Sequence, residues 1–444
     1  MLPLLDRQWL DTTIVRTRSG PVSGATLLAQ ATAVADRIPE TAYIINLCDE
    51  RHHFLLVLLA GMMRRATTLL PPNKLPQTML ELAADYPDPL CVLDTPRTEP
   101  PSSLRRLELA LPRVGDVRAG AEEVPQIPGD WTPFCAFTSG STGKPQGHCK
   151  HWPELMVGAR CAARRFGIDE RTSIVATVPP QHMYGLELSV LIPLASGAAT
   201  HAARPFFPED VRTVLQEVPE PRVLVTTPLH LSTMTRAELR WPCIDFIVSA
   251  TAPLSPEQAE RAEAALGAPV LEIYGCTEAG SLASRRTREG EAWTWYECVR
   301  ARREGDAVQV SGDCLSQPVT LSDRLDMDAD GRFRLLGRGQ DLINIAGKRG
   351  SLADLELRLK DIEGVEDGAF LDPEDRPEGR GRLIAFVVAP RLSKVEILDA
   401  LRRVVEPVFL PRVIHFVPRL PRNETGKLPR ADLIALLQSR QAPE

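Results

Sequence analysis

Phe137-Thr138-Ser139-Gly140-Ser141-Thr142-Gly143-Lys144-Pro145-Gln146-Gly147 follows directly on the apolar, strand-like run Phe134-Cys135-Ala136. Such a stretch is built to hold phosphate. Three glycines let the backbone bend so that successive N–H groups converge on an anion, and four hydroxyls with Lys144 add donors and positive charge. A plain Gly/Ser linker would neither begin at the end of a strand nor carry a lysine inside its glycine cluster. A P-loop NTPase is disfavoured, because its pattern needs Gly where Thr138 stands and Ser or Thr where Pro145 stands.

Working outward, the 444 residues suffice for a large core and more than one domain. From Thr41 a strand (43–47), a helix (51–65) and a strand (67–70) form a unit that predicts a parallel sheet. Residues 1–40 are weakly patterned, and prolines and charges between Asp94 and Pro128 suit a surface excursion between subdomains. After the loop the alternation continues: helix 153–166, strand 174–178, helix 186–194, strands 223–226 and 246–249, helix 256–266, strand 270–274. From Trp293 to Leu336 short segments such as 307–310 and 333–336 read as a small β subdomain. Beyond a break at Gly337-Arg338-Gly339-Gln340-Asp341 come a helix after Ser351, a strand 383–388 and a helix capped by Ser393 with Glu396. The expected fold is α/β: a large N-terminal domain over 1–337, with parallel-type sheets and a small β subdomain. A small mobile α+β C-terminal domain over 338–444 follows, with a hinge near 338–341.

Composition excludes several classes. No apolar run is long enough to span a bilayer and no signal sequence opens the chain, so a cytoplasmic protein is expected. Nine cysteines without a Cys-x-x-Cys pair read as reduced thiols, not as a disulfide framework or a zinc site. The net charge of −6 gives no reason to expect nucleic acid. Basic charge is local: residues 380–430 hold eleven Lys or Arg against four Asp or Glu, which is either a solvated face or a dock for an acidic partner or phosphorylated carrier arm.

Further stretches carry chemistry. Tyr274-Gly275-Cys276-Thr277-Glu278 ends a predicted strand, where open α/β sheets bind ligands. Upstream stands Ser249-Ala250-Thr251-Ala252-Pro253-Leu254. Downstream stand Leu321-Ser322-Asp323 with Gly337-Arg338, then Gly347-Lys348-Arg349, and last Pro421-Arg422-Asn423-Glu424-Thr425-Gly426-Lys427-Leu428-Pro429-Arg430. In this order the stretches resemble the adenylate-forming, AMP-binding superfamily of acyl- and aryl-CoA ligases, luciferase-like enzymes and peptide-synthetase adenylation domains. The likeness runs from about Thr41 to Arg430.

The resemblance implies ATP and Mg²⁺. Thr138, Ser139, Gly140, Ser141, Thr142, Gly143 and Lys144 would hold the phosphates, Ala250 and Thr251 would line adenine, and Tyr274 would pack on it. Thr277 would bond the α-phosphate, Glu278 would hold Mg²⁺, Asp323 would take the ribose hydroxyls and Arg338 would approach the nucleotide. Lys427 is the implied adenylation lysine; a carboxylate attacking a phosphate needs fixed cations and the metal to neutralise the growing charge. Gln340 would be the hinge pivot, with Gly347 and Lys348 facing the site in the thioester half. Pro179-Pro180-Gln181-His182-Met183-Tyr184-Gly185-Leu186 matches the family's pocket mouth, so His182, Tyr184, Gly185 and Gly275 would bind the acyl substrate. No Asp occurs between Gln181 and Gly197, which argues against an amino-acid substrate.

Departures are visible too. Ala250 and Thr251 stand where the family more often has Gly, Leu321 and Ser322 replace Thr-Gly, Gln340 replaces a charged pivot, Gln146 replaces a lysine, and the first subdomain is short. The trimmed start, the Gln-His-Met-Tyr-Gly segment and the basic tail look most like stand-alone ligases of bacterial aryl-polyene and xanthomonadin pigment clusters. The implied activity is acyl-adenylate formation from an aryl acid, such as a hydroxybenzoate, and transfer to an acyl carrier protein. The alternatives are an aryl- or medium-chain acyl-CoA ligase and, in another class, a non-catalytic nucleotide-binding regulator.

Overall fold

The computed structural model describes residues 1–95, 98–109, 123–139, 145–305, 307–338, 342–345, 348–372, 383–423 and 426–441. Runs of apolar β-formers alternating with amphipathic helices build two sheets. In the first, Tyr43–Asn46 lies between Thr67–Leu70 and Leu90–Leu93, and Phe134–Ser139 lies beyond Thr67–Leu70, all parallel. Antiparallel Pro145–Lys150 closes one edge and Arg105–Glu108 the other. The second sheet has nine strands. Its parallel middle runs Val270–Cys276, Phe246–Ser249, Arg222–Thr226, Ser173–Ala176, Ala199–His201, Thr13–Thr17.

The sheets share one core. The helix Arg51–Met63 is apolar on nearly every side, as a helix buried all round must be. Its residues Phe54 to Ala60 join Ile44 and Leu70 of the first sheet and Ile174 and Ala176 of the second in a single cluster. Arg51 ties the helix to the second sheet. Its guanidinium donates to Ser189 Oγ at 2.9 Å and to the carbonyls of Ala176, Val178, His201 and Ala203 at 2.8–3.0 Å.

The C-terminal unit has its own core around Leu355, Leu359, Phe370, Ala385, Ile397 and Leu401. Asp367–Leu371, Ile384–Val388 and Val413–Phe416 form its sheet, and the Ser393–Glu396 capping box is present. It docks through Ser255 Oγ to Asp361 at 2.8 Å and Arg236 to the Val365 carbonyl at 3.2 Å.

Two expectations need correction, and the weakly patterned amino-terminal stretch gains a structure. Residues 1–40 are ordered: Thr13–Thr17 and Gly20–Ser23 extend the second sheet, and the helix Gly24–Ala35 is capped by Ser23. The pattern is weak because those strands are short and sit at a sheet edge. Between Asp94 and Pro128, Arg105–Glu108 adds a parallel edge strand whose alternating half-exposure disguises it, and Gln126–Ile127 pairs with Leu2–Pro3. The cysteines are not all free thiols, since Cys135 and Cys149, directly opposed in the hairpin register, are bonded. The other seven are free, and no metal-ligating cluster occurs among the described residues. No described helix is long and apolar enough to cross a membrane.

Candidate active site

Phe134–Ser139 and Pro145–Lys150, which flank the expected phosphate loop, pair antiparallel; Thr138 and Ser139 sit in the last two rungs, opposite Gln146 and Pro145. Gly140, Ser141, Thr142, Gly143 and Lys144 lie outside the described residues, as do Gln340 and Gly347. Thr277 and Glu278 occupy the turn between Val270–Cys276 and Gly280–Arg286. Lys150 joins the two hairpins. Its ammonium donates to the Glu278 carbonyl at 2.7 Å, while His148 Nε2 lies 4.0 Å from Glu278 Oε1. Burial lowers the Lys150 pKa, against the raising charge of Glu187 nearby. Neither Lys150 nor His148 was foreseen, although period-two alternation sets Gln146, His148 and Lys150 on one face of their strand.

Tyr274 donates its hydroxyl to Asp323 Oδ2 at 2.9 Å, with its ring edge-on to Trp293 and Phe333. Asp323 stands opposite Arg338 in the antiparallel pair Asp323–Met327 and Phe333–Arg338. Three residues from distant parts of the sequence thus meet. Ala250 is buried, and Thr251 lines a cleft with Ala252, Pro253, Arg422 and Gly426. The loop of the exposed Lys427 is braced from its own domain. Asn423 exchanges bonds with the Lys427 backbone at 2.8 and 2.9 Å, and Arg422 bonds both the Gly426 carbonyl and Asp367. A Cβ added at Gly426 would come 3.6 Å from Leu229 and 3.9 Å from Thr227 Oγ1, so this loop rests on the large domain.

His182 occupies the N-cap position of the helical run that begins with Met183–Leu186, and its side chain makes no capping hydrogen bond there. The Tyr184 hydroxyl is committed to the Thr226 and Val248 carbonyls at 3.1 and 2.9 Å, clamping two strand ends, and burial pushes its pKa well up. Gly185 and Gly275 serve close backbone approach: a Cβ would strike the Pro179 carbonyl in the first case and the Gly280 carbonyl in the second. Lys348 lies in the strand Lys348–Ser351, which pairs antiparallel with Leu342–Ile345.

Glu278 is a half-exposed carboxylate next to a threonine hydroxyl, a donor set that fits Mg²⁺ brought in on phosphates, since that ion takes one or two carboxylates and otherwise water and phosphate oxygens.

Comparison with known proteins gives the same outline. The AMP-binding enzyme model matches residues 36–302 and the AMP-binding enzyme C-terminal domain model matches 364–427. A 4-coumarate–CoA ligase of Halorhodospira halophila is 31% identical over 341 residues, 72% of this chain and 80% of that one. A probable CoA ligase of Humulus lupulus is 24% identical over 68% of this chain and 63% of its own length. Among solved structures, ATP-bound MatB from Rhodopseudomonas palustris superposes with a TM-score of 0.81 at 19% identity, covering 99% of this chain and 98% of that one. The o-succinylbenzoate CoA synthetase of Bacillus subtilis with AMP gives 0.80 at 19%, covering 95% of each. A match over most of the large domain, a second over the small one and a relative above thirty per cent identity establish that this chain belongs to the AMP-binding enzyme family.

Proposed function

We propose that this member of the AMP-binding enzymes is an ATP-dependent acid–thiol ligase for an aryl carboxylic acid, passing the acyl group from its adenylate to the thiol of an acyl carrier protein. The observation that carries the reading is convergence. The Tyr274–Asp323 bond and the Lys150 bridge bring the phosphate hairpin, the Thr277–Glu278 turn and the Asp323–Arg338 pair to one end of the sheets, where open α/β folds bind nucleotides.

Thr277 would bond the α-phosphate and Lys427 would span it and the attacking carboxylate. Bound at Glu278, Mg²⁺ would supply further neutralisation of phosphate charge. The small domain, from about 338 onward, would turn at 338–341 between half-reactions, withdrawing Lys427 and presenting Gly347 and Lys348. The exposed Lys394, Arg402, Arg403, Arg412 and Arg419 favour an acidic carrier protein as acceptor. CoA is the second reading, favoured by relatives named CoA ligases. A cytoplasmic location suits either acceptor.

ATP–pyrophosphate exchange with hydroxybenzoates, cinnamates, medium-chain fatty acids and amino acids side by side tests the acid; exchange confined to fatty acids would overturn the aryl assignment. Carrier protein and CoA are then compared as acceptors. Lys427→Ala should cut adenylation roughly a hundredfold or more and leave transfer from supplied acyl-adenylate intact; wild-type exchange in that variant would remove Lys427 from its role.

A further inference from the structure

Glu187 has no part in the site as described above. It opens a π-helical turn, Glu187–Leu191, directly after Met183–Leu186, and such turns occur frequently at functional positions. It lies five residues beyond His182, about 7.5 Å along an α-helical axis, the scale of one benzene ring with its substituents. Its carboxylate faces the start of the strand Gly280–Arg286. The Ser281 N–H lies 3.1 Å from both oxygens, the Ser281 hydroxyl also donates, and a Cβ added at Gly280 would collide with the carboxylate and come 3.8 Å from Met183 Cε.

Those donors are neutral and come from one residue, whereas a carboxylate offers about four acceptor sites. Lys150 is close enough for the two charges to act on each other, yet its ammonium donates to the Glu278 carbonyl, and no ion pair to Glu187 forms among the described residues. Tyr296, whose N–H bonds the carbonyl of neighbouring Leu282 at 2.8 Å, has a buried hydroxyl with no partner among the described residues. Glu187 is enclosed by protein but keeps some accessible surface, and Met183 and Ser281 beside it are half-buried. Burying a carboxylate so sparsely bonded is costly unless a further donor completes it.

We propose that Glu187 is a specificity-determining residue that accepts a hydrogen bond from a hydroxyl carried by the acid at the end remote from its reacting carboxylate. A hydroxyl fits better than an ammonium, because Lys150 lies near enough for its charge to act on Glu187 and would repel a second cation brought there. The inference rests on reading the His182 segment as the acyl-pocket wall, but not on the acid's being aromatic.

The test is exchange kinetics on matched sets: benzoate, 4-hydroxybenzoate and 4-methoxybenzoate; cinnamate with its 4-hydroxy and 4-methoxy forms; octanoate with its 8-hydroxy and 8-methoxy forms. The wild type should favour hydroxyl over methoxy in kcat/KM roughly tenfold or more on the scaffold it accepts. Glu187→Gln keeps an oxygen for Ser281 but turns an amide donor toward the ligand, so the two should become nearly equal, with the change in KM. Glu187→Met, checked for folding by its melting curve, should lose the hydroxyl preference altogether. A preference unchanged in both variants, or absent from the wild type on every scaffold, overturns the proposal. Hydroxyl preference on octanoate alone would sink the aryl reading and leave Glu187 in place.

Discussion

Thr251 holds a φ of 84°, in the left-handed region that a β-branched side chain enters only under constraint, at a position where the sequence resemblance leads glycine to be expected. Strain of this kind costs about 1–3 kcal/mol, partly offset in a glycine variant by about 0.5–1 kcal/mol of extra backbone entropy. Thr251→Gly should therefore raise the unfolding free energy by about 1 kcal/mol in urea denaturation; no gain would mean that the side-chain contacts of Thr251 are worth as much as the strain. The departure from glycine was legible in the sequence, but its backbone angle was not. Arg51 is the opposite case. It stands at the start of an apolar helix, yet burial lowers its pKa to about 9 and its donors bind four carbonyls and a serine, with no carboxylate ion pair among the described residues. Carbonyls from two separate strand ends, those of Ser173–Ala176 and Ala199–His201, leave no mark in sequence, because every residue has one.

The helix Arg51–Met63 has no side-chain cap of its own; Asp94, beyond the strand Leu90–Leu93, accepts from the N–H groups of Asp49 and Glu50 at 2.9 and 3.0 Å and from His53 Nδ1 at 2.9 Å. For His53, burial pulls the pKa down, but the Asp94 bond with the charges of Glu50 and Asp94 outweighs it and raises the value. For Asp94, burial pushes up and the three donors win, lowering it. The imidazolium's contribution is full below its ordinary value of about 6.5 and is lost as pH rises through the raised one; the carboxylate's is present above about 3.9 and is lost as pH falls through the depressed one. His53→Ala should thus cost about 1.5–3 kcal/mol near about pH 5.5 and less near about pH 8, and equal loss at both values would count against the pair. Elements themselves were largely readable: the strands Thr67–Leu70 and Phe246–Ser249 and the helix Pro256–Leu266 fall where periodicity sets them. What escaped were elements defined by partners, such as the edge strand Arg105–Glu108 and this borrowed cap.

At the scale of the molecule, two sheets share one core and the C-terminal unit keeps its own, an arrangement that would let the small domain turn as a body. The order of motifs identified the family from sequence, whereas the contacts that close the site depend on the angle between sheets and on domain docking, which no local pattern encodes. Among the described residues, polar docking runs through Asp361, which accepts from Ser255 Oγ at 2.8 Å and lies 3.9 Å from Arg261, and through Arg236, which reaches the Val365 carbonyl. In this arrangement Gly426 sits against Leu229 and Thr227, with Lys427 next in the chain. If this is the orientation that serves adenylation, loosening it should slow that half-reaction alone. Asp361→Ala removes one hydrogen bond worth about 1 kcal/mol, so pyrophosphate exchange should fall roughly fivefold, while transfer from supplied acyl-adenylate, which needs the small domain turned away, should hold its rate or gain. Equal losses in both halves would assign Asp361 to the fold of its own domain, and a loss confined to transfer would make the docked arrangement the thioester-forming one.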